Sequence, residues 1–170
     1  MDAAELRAYA DQLDPLMRHL LIDSLFDTIQ NGTHVVFFGA AWCPYTQQYT
    51  PVWLNAQDQL AYHHPSTRLQ MHKISCQDAQ HKCFHYMRER DNAYPTVVLF
   101  RDGDYIEEVI DRDRVWEYID LLARGGMNGP LSAGEVVKVE RAVGLDFLRW
   151  VLPLITLFSS FGMGMRQMEQ

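Results

Sequence analysis

The chain has 170 residues, 48% of them hydrophobic and 12% aromatic, enough for one globular domain with a core of its own and some length beside it. Its net charge is −7 and its Lys and Arg residues are scattered, which argues against nucleic acid as a partner, because phosphate contact needs a clustered basic surface. Three cysteines, Cys43, Cys76 and Cys83, allow one disulfide and a free thiol or three free thiols, and the Cys76–Cys83 spacing is not the short CxxC of a zinc site.

Residues 2–30 read as helical with a break at Pro15; Leu21, Leu25 and Ile29 fall four apart on one face, with Ile22 and Phe26 beside them. Asn31-Gly32 ends this stretch. His34 to Phe38 is a β-branched and aromatic run without polar alternation, the pattern of a central strand buried on both faces. Residues 44–62 read as a helix interrupted by Pro51, residues 69–74 as a strand, residues 77–90 as a polar helix and residues 96–100 as a second buried strand. Asp102-Gly103 signals a hairpin, with residues 105–110 as the returning strand. An amphipathic helix over 112–124 follows, with Val115, Ile119 and Leu122 on one side. The expected class is α/β: a mixed central sheet flanked by helices.

Beyond this, residues 125–131 form a linker by composition, and Ser132 with Glu135 makes a capping box that starts a helical tail over 132–170. From Trp150 to Met165 that tail carries no charge. Extended back to Leu145, with Arg149 reaching to the interface, it is long enough for a membrane segment over 145–165; a core helix of a larger assembly and an interfacial helix are the other readings. The first twenty residues carry Asp2, Glu5, Asp11 and Asp14 and lack the continuous apolar core of a secretory signal, which leaves open a signal removed before this numbering begins.

The chemistry concentrates at Ala41-Trp42-Cys43-Pro44-Tyr45-Thr46. Cys43 falls between a buried strand and a helix, where unpaired N–H groups and the helix dipole stabilise a thiolate. Pro44 suits a first helical turn, and the Thr46 hydroxyl is expected to donate to the sulfur.

"VVFFGAAWCPYTQQYTPVW", together with "AYPT" further on, resembles the thioredoxin-fold domains of the protein disulfide isomerase family over about residues 20–124. The resemblance makes residues 1–19 an N-terminal helical extension. It implies a thioredoxin fold and a cis Tyr94–Pro95 bond whose loop packs on the active-site turn and helps hold an extended substrate. Cys43, Thr46 and Pro95 are then the candidate catalytic residues, and Trp42, Pro44, Tyr45 and Tyr94 the candidate substrate-binding ones. "KISCQDAQHKC" resembles a segment in which two cysteines flank a loop, which implies a Cys76–Cys83 disulfide and an oxidising compartment. Asn31-Gly32-Thr33 is a glycosylation sequon consistent with that compartment.

Two departures from the family pattern agree with each other. Thr46 stands where the family has its resolving cysteine, and Phe37 where it has a buried acid that moves protons; Lys73, which resembles the lysine near that acid, is left without its partner. A dithiol cycle needs both the second thiol and the base. The expected function is a membrane-anchored protein with one active-site cysteine that forms mixed disulfides with client proteins carrying disulfides or free thiols, in an isomerase-like or client-retaining role. Its expected place is the endoplasmic reticulum membrane with the domain in the lumen; a tail-anchored form with a cytosolic domain, or another organelle membrane, is the alternative, because Lys138, Arg141 and Arg149 precede the apolar run. The alternative function is a redox-inactive accessory subunit of a membrane complex. No cofactor or metal is expected, although Cys76, His81, Cys83 and His85 form a conceivable zinc set in a reducing compartment. Arg112 and Arg114 lie near a family position that sometimes assists the site, but are not placed in it.

Overall fold

A computed structural model describes residues 1–88 and 93–125. The linker, the helical tail and the membrane segment expected over 145–165 lie outside the described residues, and among those that are described no helix is long and apolar enough to cross a membrane.

The sheet is built around β1 (Thr33–Gly39), whose residues after Thr33 are all buried, as its unbroken apolar run requires. β2 (Gln70–Ser75) runs parallel to it on one side and β3 (Thr96–Arg101) antiparallel on the other, with β4 (Asp104–Glu108) outside β3, giving the order β2-β1-β3-β4. Asp102 and Gly103 both have positive φ, which fits the right-handed twist of the β3–β4 hairpin. Asp102 Oδ1 also accepts from the Gly32 N–H at 2.8 Å, tying the hairpin tip to the start of β1. At the outer edge of β2, Lys73 N–H donates to the Arg18 carbonyl and Leu20 N–H to the Lys73 carbonyl, so residues 18–20 lie along the strand.

Helix α1 (Ala3–Leu13) begins at a capping box in which Asp2 accepts from the Glu5 N–H and Glu5 from the Asp2 N–H. Pro15 then turns the chain through one 3₁₀ turn (Asp14–Leu16). Helix α2 (Ile22–Thr28) is shorter than the sequence suggests. Leu21 is its N-cap in extended conformation, so it falls off the expected stripe and is exposed, as is Phe26; Leu25 and Ile29 carry the burial. Helix α3 (Pro44–His63) runs unbroken through Pro51, where an interruption is expected. Pro51 lacks one N–H, and the Thr50 hydroxyl donates to the Thr46 carbonyl at 3.0 Å in the same turn. Helix α4 (Gln80–Tyr86) starts later than expected and gives way to a turn at Met87, and α5 (Val115–Ala123) follows a 3₁₀ turn over Arg112–Arg114.

Strand periodicity divides the core in two. Val35, Phe37, Val97 and Leu99 point to a face packed by Tyr49, Trp53 and Leu60 of α3 and Ile119 of α5. Val36, Phe38 and Val98 point the other way, toward Leu25, Ile29, Met87, the Cys76–Cys83 pair and Cys43.

Candidate functional site

Cys43 is the N-cap of α3, with extended backbone, and Pro44 opens the first turn. The turn before it closes through a Cys43 N–H to Ala40 carbonyl bond of 2.9 Å. The Cys43 side chain is 7% exposed, and its Sγ lies 3.6 Å from the carbonyl oxygen of Tyr94, the residue before the cis Tyr94–Pro95 bond. Sequence-distant pieces are thereby brought together: the start of α3 and the loop that leads into β3. Trp42 is exposed and stands edge-on to Tyr94 at 6.0 Å between ring centroids, and Phe84 of α4 stacks on Tyr94 at 6.3 Å. Tyr45 is exposed at the same mouth, and Pro44 is exposed beside it. Burial, reinforced by the Cys43 sulfur, pushes the Tyr94 hydroxyl above its ordinary range, and among the described residues that buried hydroxyl has no hydrogen-bond partner.

Thr46 departs from expectation. Its hydroxyl accepts from the Ala40 N–H at 3.3 Å instead of donating to the sulfur. That N–H lies at the buried end of β1, and a buried donor left unpaired is costly, so the hydroxyl turns inward. The Thr46 methyl fills the space over Gly39, where a β-carbon would sit 2.8 Å from both that methyl and the Phe37 ring. Only glycine lets strand, Phe37 and Thr46 approach this closely.

Cys76 and Cys83 are bonded to each other and fully buried, and Cys43 is the free thiol. The alternative in which Cys76, His81, Cys83 and His85 hold zinc is thereby set aside, because both sulfurs are committed to the bond; among the described residues no three His, Cys, Asp or Glu side chains converge as metal ligands. Asn31 is exposed between α2 and β1, where its carbonyl accepts from His34 Nε2.

Two contacts near the site are not evident from the sequence. Arg112 Nη1 donates to the Pro95 carbonyl, fixing the cis-proline loop from the turn before α5. Lys73 has a partner after all: its ammonium bonds the Asp14 carboxylate, which comes from the N-terminal extension 59 residues away. The same ammonium sits 5.4 Å over the Phe37 ring. Proximity across the sequence gave no sign of either contact, although Arg112 was visible as a candidate through the resemblance.

The comparisons with known proteins agree with this geometry. A thioredoxin domain-containing protein of Acanthamoeba polyphaga mimivirus is 30% identical over 102 residues, covering 54% of this chain and 29% of its own length. The zinc-bound form of human ERp44 superposes with a TM-score of 0.55 at 22% identity, over 63% of this chain and 32% of that one. The first two thioredoxin domains of Saccharomyces cerevisiae Eps1p give 0.53 at 14% identity, over 62% and 40%. At such identities the structural likeness concerns the fold, and the chain spans only about a third of the length of the relatives it matches. The thioredoxin family profile matches residues 19–120, which cover the sheet, the Cys43 turn and the cis-proline loop. This chain therefore belongs to the thioredoxin family.

Proposed function

We propose that the protein captures client proteins through a single mixed disulfide at Cys43. One observation carries the reading: the one free thiol caps a 20-residue helix beside the cis-proline loop, while both other cysteines are bonded to each other. In the step itself, the Cys43 thiolate attacks one sulfur of a client disulfide. A new Cys43–client S–S bond forms, and the other client sulfur leaves as a thiolate and takes up a proton. With Thr46 in place of a second thiol, no internal group displaces the adduct. It lasts until a thiolate from solution or from the client attacks it and Cys43 leaves, with no net oxidation. The exposed rings of Trp42 and Tyr45, which flank Cys43 in the sequence, suit an extended apolar peptide segment.

The placement that goes with this function is the endoplasmic reticulum membrane, with the domain in the lumen and residues 145–165 as its anchor. The buried Cys76–Cys83 disulfide and the exposed Asn31 sequon support it. The zinc named for human ERp44 is not carried over to this chain.

Cells treated with a membrane-permeant alkylating agent are expected to yield Cys43-dependent adducts of higher mass on non-reducing gels, and Cys43→Ser to remove them. An adduct pattern unchanged by that substitution sinks the proposal. The second reading, an accessory subunit docked through the tail, is favoured by the slight exposure of the sulfur; it predicts that Cys43→Ala leaves co-purifying partners intact while removal of residues 131–170 releases them.

A further inference from the structure

The Asp14–Lys73 pair lies beneath the turn that presents Cys43. The Lys73 side chain is 6% exposed and that of Asp14 38%, so the ammonium is enclosed and the carboxylate reaches it from the rim. Both line a cavity of about 130 Å³ that is walled on one side by the N-terminal extension and on the other by Ala41 of the turn and Thr46, Gln47 and Thr50 at the start of α3. A space of that size with polar walls accommodates water. The other titratable groups facing the pair are Asp11 of α1, which lines the same cavity, and His19, whose Nε2 lies 3.2 Å from the second Asp14 oxygen. Among the described residues, α3 faces it with the neutral side chains of Thr46, Gln47 and Thr50, and β1 with the Phe37 ring. At Cys43 itself the titratable neighbour is Tyr94, and the Arg112 guanidinium stands on the next carbonyl of the same loop, that of Pro95. An enclosed ammonium acts over several ångströms because little water screens it, so its field at the turn depends on whether a carboxylate neutralises it.

We propose that Asp14 is a positioning residue for Cys43: the N-terminal extension supplies a carboxylate that holds Lys73 under the turn and balances its charge, making residues 2–16 part of the site. The inference rests on reading Cys43 as a nucleophile. Its signature is a pair of opposite effects. Removing the carboxylate leaves the ammonium unbalanced and favours a thiolate at the turn; removing the ammonium leaves the carboxylate and disfavours it. A contact that served only packing would move both variants the same way.

The test is the pH profile of Cys43 alkylation by iodoacetamide in the full chain. Asp14→Asn is expected to raise the rate at pH 6.5 by about threefold and Lys73→Met to lower it by about threefold, each a shift of roughly half a pH unit. The double variant is expected to return within twofold of the unsubstituted protein, and Asp14→Glu to retain its profile. Shifts in the same direction, or none, overturn the proposal. If Cys43 alkylates in no variant, the mixed-disulfide reading fails separately. The same four substitutions are then read on the thiol introduced by Thr46→Cys in a Cys43→Ser chain, where that thiol lines the cavity directly; opposite shifts there uphold the role of Asp14, and their absence overturns it.

Discussion

The two faces of the sheet are packed by different means. On one, α3 of 20 residues and α5 of nine bury Tyr49, Trp53, Leu60 and Ile119 against Phe37 and Leu99. On the other, α2 and α4 have seven residues each, too short to be stable alone, and a buried disulfide joins the end of β2 to α4. Cys43 belongs to the second face. The difference teaches a division of labour. Long helices hold the sheet and the start of α3 in place, while the surroundings of the sulfur are assembled from short pieces that need a covalent tie. Regions of the second kind open more readily, which suits the client capture proposed for Cys43.

The contrast can be broken by substitutions on each face. Trp53→Ala should cost the most, about 3–5 kcal/mol, because it empties the centre of the long-helix face. Chemical denaturation measures it, and a loss below that of removing the disulfide would reverse the comparison. Replacing Cys76 and Cys83 together with Ala should cost about 2–3 kcal/mol, from the chain entropy of the small loop the bond closes. Hydrogen exchange should show the loss confined to α4 and the residues around Tyr94, with α3 and α5 still protected. Exchange that rises equally in α3 would show that the two faces do not behave separately.

A smaller effect is set by His72, on β2 at the sheet surface. Burial, reinforced by His34 and by Arg18, pushes its pKa down to about 4. His34 Nδ1 and His72 Nε2 are 3.2 Å apart, so one ring donates and the other must accept. Between pH 6.5 and about 4 the unfolded chain therefore binds a proton that the folded chain refuses, and stability falls as pH falls through that window. The expected loss is about 2 kcal/mol, discounted for partial exposure. Thermal melts of the protein and of His72→Gln across pH 4–7 check it; parallel curves would remove His72 from the account.

Strands β1 and β3 were legible because short β-branched and aromatic runs suit a buried strand, and the hairpin because Asp102-Gly103 suits residues with positive φ. The turn, the cis-proline loop and the cysteine pair were legible through resemblance, since nothing in their spacing alone joins residue 43 to residue 94. What escaped was set by tertiary geometry. Thr46 can bond the sulfur or the end of β1, and only the burial of the Ala40 N–H decides between them. The Leu21 stripe assumed a helix that starts one residue later, and Asp14 reaches Lys73 only because the chain turns at Pro15.

The backbone bonds between Arg18, Leu20 and Lys73 bear on where this domain begins. They occupy hydrogen-bonding groups on the outer side of β2, and a sheet margin with vacant donors and acceptors is a template on which foreign chains add strands. A protein trimmed to the span of resemblance, from residue 20, would lose Arg18 and leave the Lys73 N–H without its acceptor. The segment ahead of that boundary thus covers part of the sheet margin, whatever its part in the chemistry.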